Sequence, residues 1–132
     1  MTYAVILKGY ERCIPKEAVA TGAIDPGQGV AFESDGTVSA GNGPVLRVAY
    51  NDDYRAIDDE YEAGEQTKYV TPPKGVELYV PVTDDSLAYD TVLEVNAAGN
   101  FAPHDTGEAV AVVVPSHDSD EPMEGRLFVE VI

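Results

Sequence analysis

The sequence has no tryptophan, a single cysteine, few basic residues and no long apolar run. Cys13 has no second cysteine to pair with, which excludes an internal disulfide, and beside Ile14 it is expected to be a small buried side chain. No apolar run approaches the roughly 18 residues that a membrane-spanning helix requires. Residues 1–17 contain neither a basic leader nor a cleavage site of small residues, so we expect no signal peptide. These absences predict a chain without a membrane partner.

Basic residues are scarce: 8 Lys and Arg stand against 24 Asp and Glu, which gives a net charge of −16. Such a surface repels phosphate groups and argues against nucleic acid as a partner. Crowded carboxylates repel one another in dilute buffer, but at about 1 M salt the Debye length is about 3 Å and the repulsion is screened. The composition is typical of a halophilic protein, as in halophilic archaea. An ordinary acidic surface protein is the alternative.

The apolar residues form short runs, often alternating with polar ones, and Gly, Pro, Asn and Asp separate these runs along the 132 residues. About eight strands with turn signals every 8–12 residues or so predict a mainly β, single-domain β-barrel or β-sandwich. At most one short helix is expected. It would lie in residues 51–64, where Tyr54, Ile57 and Tyr61 share a helical face. An irregular acidic loop is the alternative there.

Residues 29–50 and 91–114 share one order of features. Each has an apolar strand, a turn ending in glycine (Gly36 or Gly99), a short strand, a glycine-containing loop and a second apolar strand. Glycine supplies the positive φ that a tight hairpin turn requires. We interpret the two stretches as one hairpin-plus-strand unit used twice.

Residues with catalytic or metal-binding chemistry are present but poorly arranged for it. The acidic residues within 52–62 could hold a hard cation, yet they lack the spacing of a calcium-binding loop, and a solvated acidic face is expected. His104 and His117 each precede an Asp, but a catalytic pair also needs a placed nucleophile, and Ser116 lies in a predicted exposed loop. Zinc binding by the two histidines, and paired carboxylates for glycoside hydrolysis, remain open. We expect no enzyme activity, no cofactor and no metal.

Aromatic residues are mainly tyrosine, with 8 Tyr against 3 Phe. Tyrosine combines a large contact area with a polar group and is enriched at protein interfaces. The tyrosines could equally line the edges of a small β core. Both interpretations stay open on the sequence alone.

Residues 61–103 resemble the central part of the head decoration, or cement, proteins of tailed viruses. In that family an aromatic-x-Ala-Gly-Glu strand precedes a Pro-x-Gly turn, and a hydroxyl-hydrophobic-Leu step and a glycine hairpin follow. The matching positions here are Tyr61 to Glu65, Pro72 to Gly75, Thr91 to Leu93, and Gly99 with Phe101. Residues 27–52 are similar to the family's opening, although Leu46-Arg47-Val48-Ala49 departs from its Val-Gly-Val-Ala-like strand. The resemblance covers roughly residues 27–114.

The resemblance implies a structural virion protein made in the host cytoplasm and located on the outer surface of an icosahedral capsid. It would bind the major capsid protein and itself, as homotrimers at three-fold and quasi-three-fold positions, and stabilise the shell. The acidic composition would place the virus in a haloarchaeal host. A turret, tail or host-surface-binding β module of such a virus is the alternative.

The resemblance also suggests where contacts lie. Residues 1–18 would form an N-terminal segment that reaches the capsid through Tyr3, Ile6 and Tyr10, and residues 19–132 the decoration domain. Residues 3–7 could instead be the first core strand. Ser34 and Asp35, at the tip of the first hairpin, would face the capsid or a neighbouring subunit, with exposure to the saline solvent as the alternative.

Overall fold

The computed structural model describes residues 4–52, 54–116 and 121–132. These ranges contain eleven strands and a 3-10 turn at Tyr10–Arg12, and none of their helical residues forms a segment long and apolar enough to cross a membrane. The strands are β1 (Ile6–Lys8), β2 (Lys16–Val19), β3 (Val30–Phe32), β4 (Val38–Ala40), β5 (Val48–Ala49), β6 (Gln66–Val70), β7 (Glu77–Pro81), β8 (Val92–Val95), β9 (Phe101–Pro103), β10 (Ala111–Val113) and β11 (Arg126–Val131). The mainly β prediction is confirmed, with more strands than the expected eight or so.

The strands form three sheets, and the strands within each sheet pair antiparallel. The largest sheet has the order β1-β7-β11-β10-β8-β9, the second β2-β6-β5, and the third is the β3–β4 hairpin. Single bridges from Gly29 to Val48 and from Ala20 to Val38 connect the hairpin to the second sheet. In the described part of the chain the sheets stay open and sandwich-like, so the sandwich rather than the barrel is correct.

Strand β7 lies between the edge strand β1 and β11 in the main sheet and is buried on both faces. Leu78 and Val80 are fully buried, and Tyr79 on the opposite face stacks on Phe128 with ring centroids 4.6 Å apart. Pro81 ends the strand past the last residue that pairs with β1, so its missing N–H interrupts no ladder on that side. Strand β7 therefore tolerates a proline at its end, although it pairs on both sides.

The predicted repeat is confirmed in the strand pairing. In the first unit β5 returns beside β3 through the Gly29–Val48 bridge, and in the second β10 returns beside β8, with Ala111 opposite Leu93. Both third strands run antiparallel to the first strand of their hairpin. The same arrangement therefore occurs twice. In one unit β4 pairs with β3 and a single bridge links β5 beside it, and in the other β8 lies between β9 and β10.

The segment with competing helix and loop predictions is an irregular loop. A helix would place Tyr54, Ile57 and Tyr61 on one face, but Tyr54 is 97% exposed whereas the other two are buried. Arg55 explains the loop, since Nη1 donates to the carbonyls of residues 59 and 60 and the guanidinium lies 4.0 Å from the Tyr61 ring centroid. These bonds satisfy carbonyls without a helix, so the helix prediction is wrong.

Tyrosines divide between core and surface. Tyr50, Tyr61, Tyr69 and Tyr79 are buried, whereas Tyr10, Tyr54 and Tyr89 are exposed. Tyr61 packs in a second, smaller core with Ile24, Val30 and Val38, between the hairpin and the second sheet. Tyr3 lies outside the described residues. The core interpretation is thus confirmed for the four buried tyrosines, and an interface role of the exposed ones stays a prediction.

Thr67, in the middle of β6, is fully buried and its hydroxyl has no hydrogen-bond partner among the described residues. An unpartnered buried hydroxyl costs about 1–3 kcal/mol. We therefore expect Thr67→Val to raise the free energy of unfolding by about 1 kcal/mol, because the methyl stays and the hydroxyl goes. Thr67→Ser keeps the hydroxyl and loses the methyl, so it should lower that free energy by a similar amount. Denaturant unfolding of both variants tests this, and a stability loss for Thr67→Val would contradict it.

Candidate interaction surface

Of the predicted N-terminal contact residues, Ile6 lies in β1 of the main sheet and Tyr10 begins the 3-10 turn after it. Val5 is fully buried, its N–H donates to Asn51 Oδ1 at 3.0 Å, and its carbonyl accepts from the N–H of Tyr79 at 2.7 Å. The half-buried Ile6 and the half-exposed Tyr10 line one depression of about 310 Å³. Ile6–Lys8 therefore form the first strand of the main sheet, paired with β7. Contact with a capsid stays a prediction for Ile6 and Tyr10, and Tyr3 is not described.

Tyr50 forms the floor beneath Tyr10. The two rings meet edge to face with centroids 6.2 Å apart. Burial raises the pKa of Tyr50, with the neighbouring Tyr10 hydroxyl as a further cause. Tyr50 therefore stays neutral, and the depression presents an aromatic surface rather than a charge.

The predicted hairpin tip carries a fixed negative charge. Asp35 Oδ1 accepts from the N–H of Thr37 at 3.0 Å and from its hydroxyl at 2.6 Å, and these bonds lower the pKa of Asp35. Ser34 and Asp35 are exposed at the turn of the two-stranded sheet, whereas Ile6 lies in the six-stranded one. The structure therefore places the two predicted contact groups on different sheets.

Sequence patterning missed several exposed apolar side chains. Phe32 stands two residues after Val30 in β3, yet Val30 is 1% exposed and Phe32 is 45% exposed. The ring of Phe32 lies between Tyr69, at 5.8 Å and edge-on, and the Arg47 guanidinium, at 4.9 Å. Further exposed apolar residues are Ile14, Val45, Tyr89, Val92 and Ile132. The alternation of apolar residues does not indicate that the last residue of β3 is exposed.

A groove of about 280 Å³ lies between the loop that precedes β5, the turn before β7 and the end of β11. Its floor includes Val30, Val95 and Val131, which are buried in the core. Val45 and Ile132, both nearly half exposed, form part of its wall. The apolar surface of the groove comes from segments far apart in the chain, so no local sequence pattern indicates it.

Residues considered for catalysis or metal binding have structural partners. His104 Nε2 contacts the Gly107 carbonyl at 2.9 Å, and the Glu94 carboxylate accepts from the N–H groups of Asp105 and Gly107. These bonds close the loop after β9, and they lower the pKa of Glu94. His117 and Asp118 lie outside the described residues, and the described Ser116 is half-buried after β10. The described histidine thus has a loop-closing contact.

Three of the described acidic residues within 52–65 form ion pairs, namely Asp52, Asp59 and Glu65. Asp52 pairs with Lys68 at 2.7 Å, and Arg55 with Glu65 at 2.7 Å. Within residues 4–52, 54–116 and 121–132, no three His, Cys, Asp or Glu side chains lie close enough together to hold a metal ion. Cys13 is buried as expected, and burial raises the pKa of its thiol.

No family model and no curated protein matches the sequence. Among solved structures, the chain is similar to the N base of the head fiber protein gp8.5 of bacteriophage phi29, with a TM-score of 0.56. The match covers 91% of this chain and 93% of that one at 18% sequence identity. At this identity the likeness is one of fold. The chain therefore has, over nearly its whole length, the fold of a phage head fiber base.

Proposed function

We propose that this chain is a structural virion protein bound to the outer surface of a tailed-virus capsid. The carrying observation is the fold shared with a head fiber base over 91% of this chain and 93% of that one. The ordered sequence features shared with head decoration proteins support the same location independently. In this proposal the chain acts by contact, as an acidic module with no nucleic-acid or membrane partner, and not as an enzyme.

The surface suits a protein that binds through several small contacts. Exposed apolar side chains occur on separate elements: Ile14 before β2, Phe32 at the end of β3, and Tyr89 before β8. Aromatic and aliphatic groups of this kind anchor protein interfaces. A small interface repeated over a shell gains strength through multivalency, and heterologous contacts around a three-fold axis close as a trimer. We propose such homotrimers, which bind the major capsid protein at three-fold positions and stabilise the shell.

The net charge of −16 supports a virus of a high-salt host. Molar salt would screen the repulsion among these carboxylates and between neighbouring subunits on the shell. The protein should then lose structure on dialysis to about 10 mM salt, where the Debye length is about 30 Å. Full retention of the circular dichroism spectrum at low salt would contradict the halophilic part of the proposal.

The second candidate is the base of a projecting head appendage. It is favoured because the similar solved structure is the base of a head fiber. A cement protein and an appendage base both bind the capsid, but only cement is required to strengthen it. The two are therefore separable by measuring the stability of the shell.

Re-addition of the purified protein to capsids stripped of it tests the proposal. We expect saturable binding, a higher temperature of capsid disruption, and a trimer in light scattering, either free in molar salt or on the shell. Binding without a change in capsid stability would favour the appendage base. Absence of binding would contradict both.

A further inference from the structure

Cationic side chains are rare in this protein, and their distribution is uneven. Of the 8 Lys and Arg, Arg55 and Lys68 form ion pairs with carboxylates and Arg126 is buried. The other five form no ion pair with the described carboxylates. Two of them, Lys8 and Lys16, lie on strands β1 and β2, and the remaining three are Arg12, Arg47 and Lys74. In a chain with three times as many acidic as basic residues, cations without an internal partner point to an external one.

These three cations lie around the groove. Arg47 and Lys74 belong to its lining, and Arg12 Nη2 donates to the Lys74 carbonyl at 2.8 Å, so its guanidinium lies beside the same turn. Glu108 is the one acidic side chain in the lining. The groove lining thus has two cationic side chains and one acidic side chain above an apolar floor. This is the opposite of the acidic excess of the whole chain.

Contacts within the protein, with Phe32 and Val30, hold Arg47 in place. Its guanidinium lies 4.9 Å from the Phe32 ring centroid, and its carbonyl accepts from the N–H of Val30 at 2.9 Å. Arginine held by an aromatic ring loses little conformational entropy on binding a carboxylate. The volume of about 280 Å³ is just below the range of small-molecule sites, which is about 300–1,000 Å³. It fits one or two side chains of a partner segment.

We infer that the groove is the docking site for an acidic segment of the capsid subunit, with an aliphatic side chain on the apolar floor and carboxylates beside Arg47 and Lys74. Charge complementarity carries this assignment. A capsid protein in the same high-salt medium is expected to share the acidic excess of this chain, so most of the two surfaces would repel. In the groove, Arg47 and Lys74 would instead attract the carboxylates of the capsid subunit. The inference rests on the proposed function and adds to it the surface that faces the shell.

Charge reversal in the groove tests the assignment. Lys74→Glu, alone and combined with Arg47→Glu, is compared with Lys16→Glu, an exposed lysine outside the groove lining. Affinity for stripped capsids is measured by sedimentation, with circular dichroism melting as the check on folding. We expect Lys74→Glu to weaken binding and the double variant to weaken it at least tenfold or so, while Lys16→Glu stays within about twofold.

The outcomes separate the groove from the proposed function. If the wild-type protein fails to bind capsids, the proposed function fails. If it binds and folded groove variants bind equally well, the groove assignment fails and the proposed function stands. If the groove variants lose self-association in light scattering but bind capsids as the wild type does, the groove holds a second copy, which also overturns the assignment.

Discussion

Gly99→Ala is expected to lower the free energy of unfolding by about 3 kcal/mol or more, because the two hairpin units meet at this residue. Gly99 has φ 91°, where an alanine costs about 1–2 kcal/mol. An added Cβ would also lie 2.8 Å from the Gly29 carbonyl oxygen and 2.9 Å from the Gly41 nitrogen. Both are backbone atoms of the first hairpin unit, and Gly29 N–H donates to the Gly99 carbonyl at 2.8 Å. Such overpacking adds about 1–3 kcal/mol.

Gly36→Ala is the matched control. Gly36 holds the corresponding position in the first hairpin with φ 86°, and a Cβ there meets nothing within 4 Å. Only the cost of placing alanine at a positive φ remains, so we expect the free energy of unfolding to fall by about 1 kcal/mol. Denaturant unfolding of both variants gives the comparison. Equal losses at Gly36 and Gly99 would show that the units do not pack through this contact.

Arg126→Met is expected to cost about 3 kcal/mol, since one buried guanidinium joins three parts of the chain. Its Nη2 donates to the carbonyls of Pro26 at 2.7 Å and Ile57 at 3.1 Å, and its Nη1 to that of Tyr79 at 3.2 Å. Methionine fills much of the space but leaves these carbonyls without this donor. Burial lowers the pKa of Arg126, yet arginine stays charged in proteins, so the three carbonyls stabilise a buried cation.

Arg12→Met provides the comparison for Arg126. Arg12 also donates to a carbonyl, that of Lys74, but at an exposed site where water replaces the lost bond. We expect a loss below about 0.5 kcal/mol there. Arg126→Lys should recover only part of the stability, because an ammonium lacks the fork that reaches three carbonyls. Thermal unfolding of the three variants tests this, and a neutral Arg126→Met would contradict it.

Local signals in the sequence were sufficient for most strands. The alternation in residues 76–82 predicted β7, and turn glycines predicted the two hairpins, because a positive φ and a two-residue period are properties of neighbouring residues. The repeat was also visible, since it depends only on the order of such local signals. Burial of Val30 and Val38 follows from the same pattern.

Features that depend on long-range packing could not be predicted from local patterns. Arg126 opens an apolar strand, and nothing near it indicates carbonyl partners 100 and 69 residues away. The helix expected near Tyr54 failed because Arg55 bonds loop carbonyls and Glu65, which periodicity does not register. The groove combines segments from Gly29 to Ile132, so it exists only once the sheets are assembled.

Quantitative mass spectrometry of purified virus particles tests the central claim most directly. A protein bound at the three-fold and quasi-three-fold positions of the capsid should be present in a copy number close to that of the major capsid protein. Absence from the particles, or only a few copies in each, would contradict the account and point to a tail or vertex component or to a protein outside the virion.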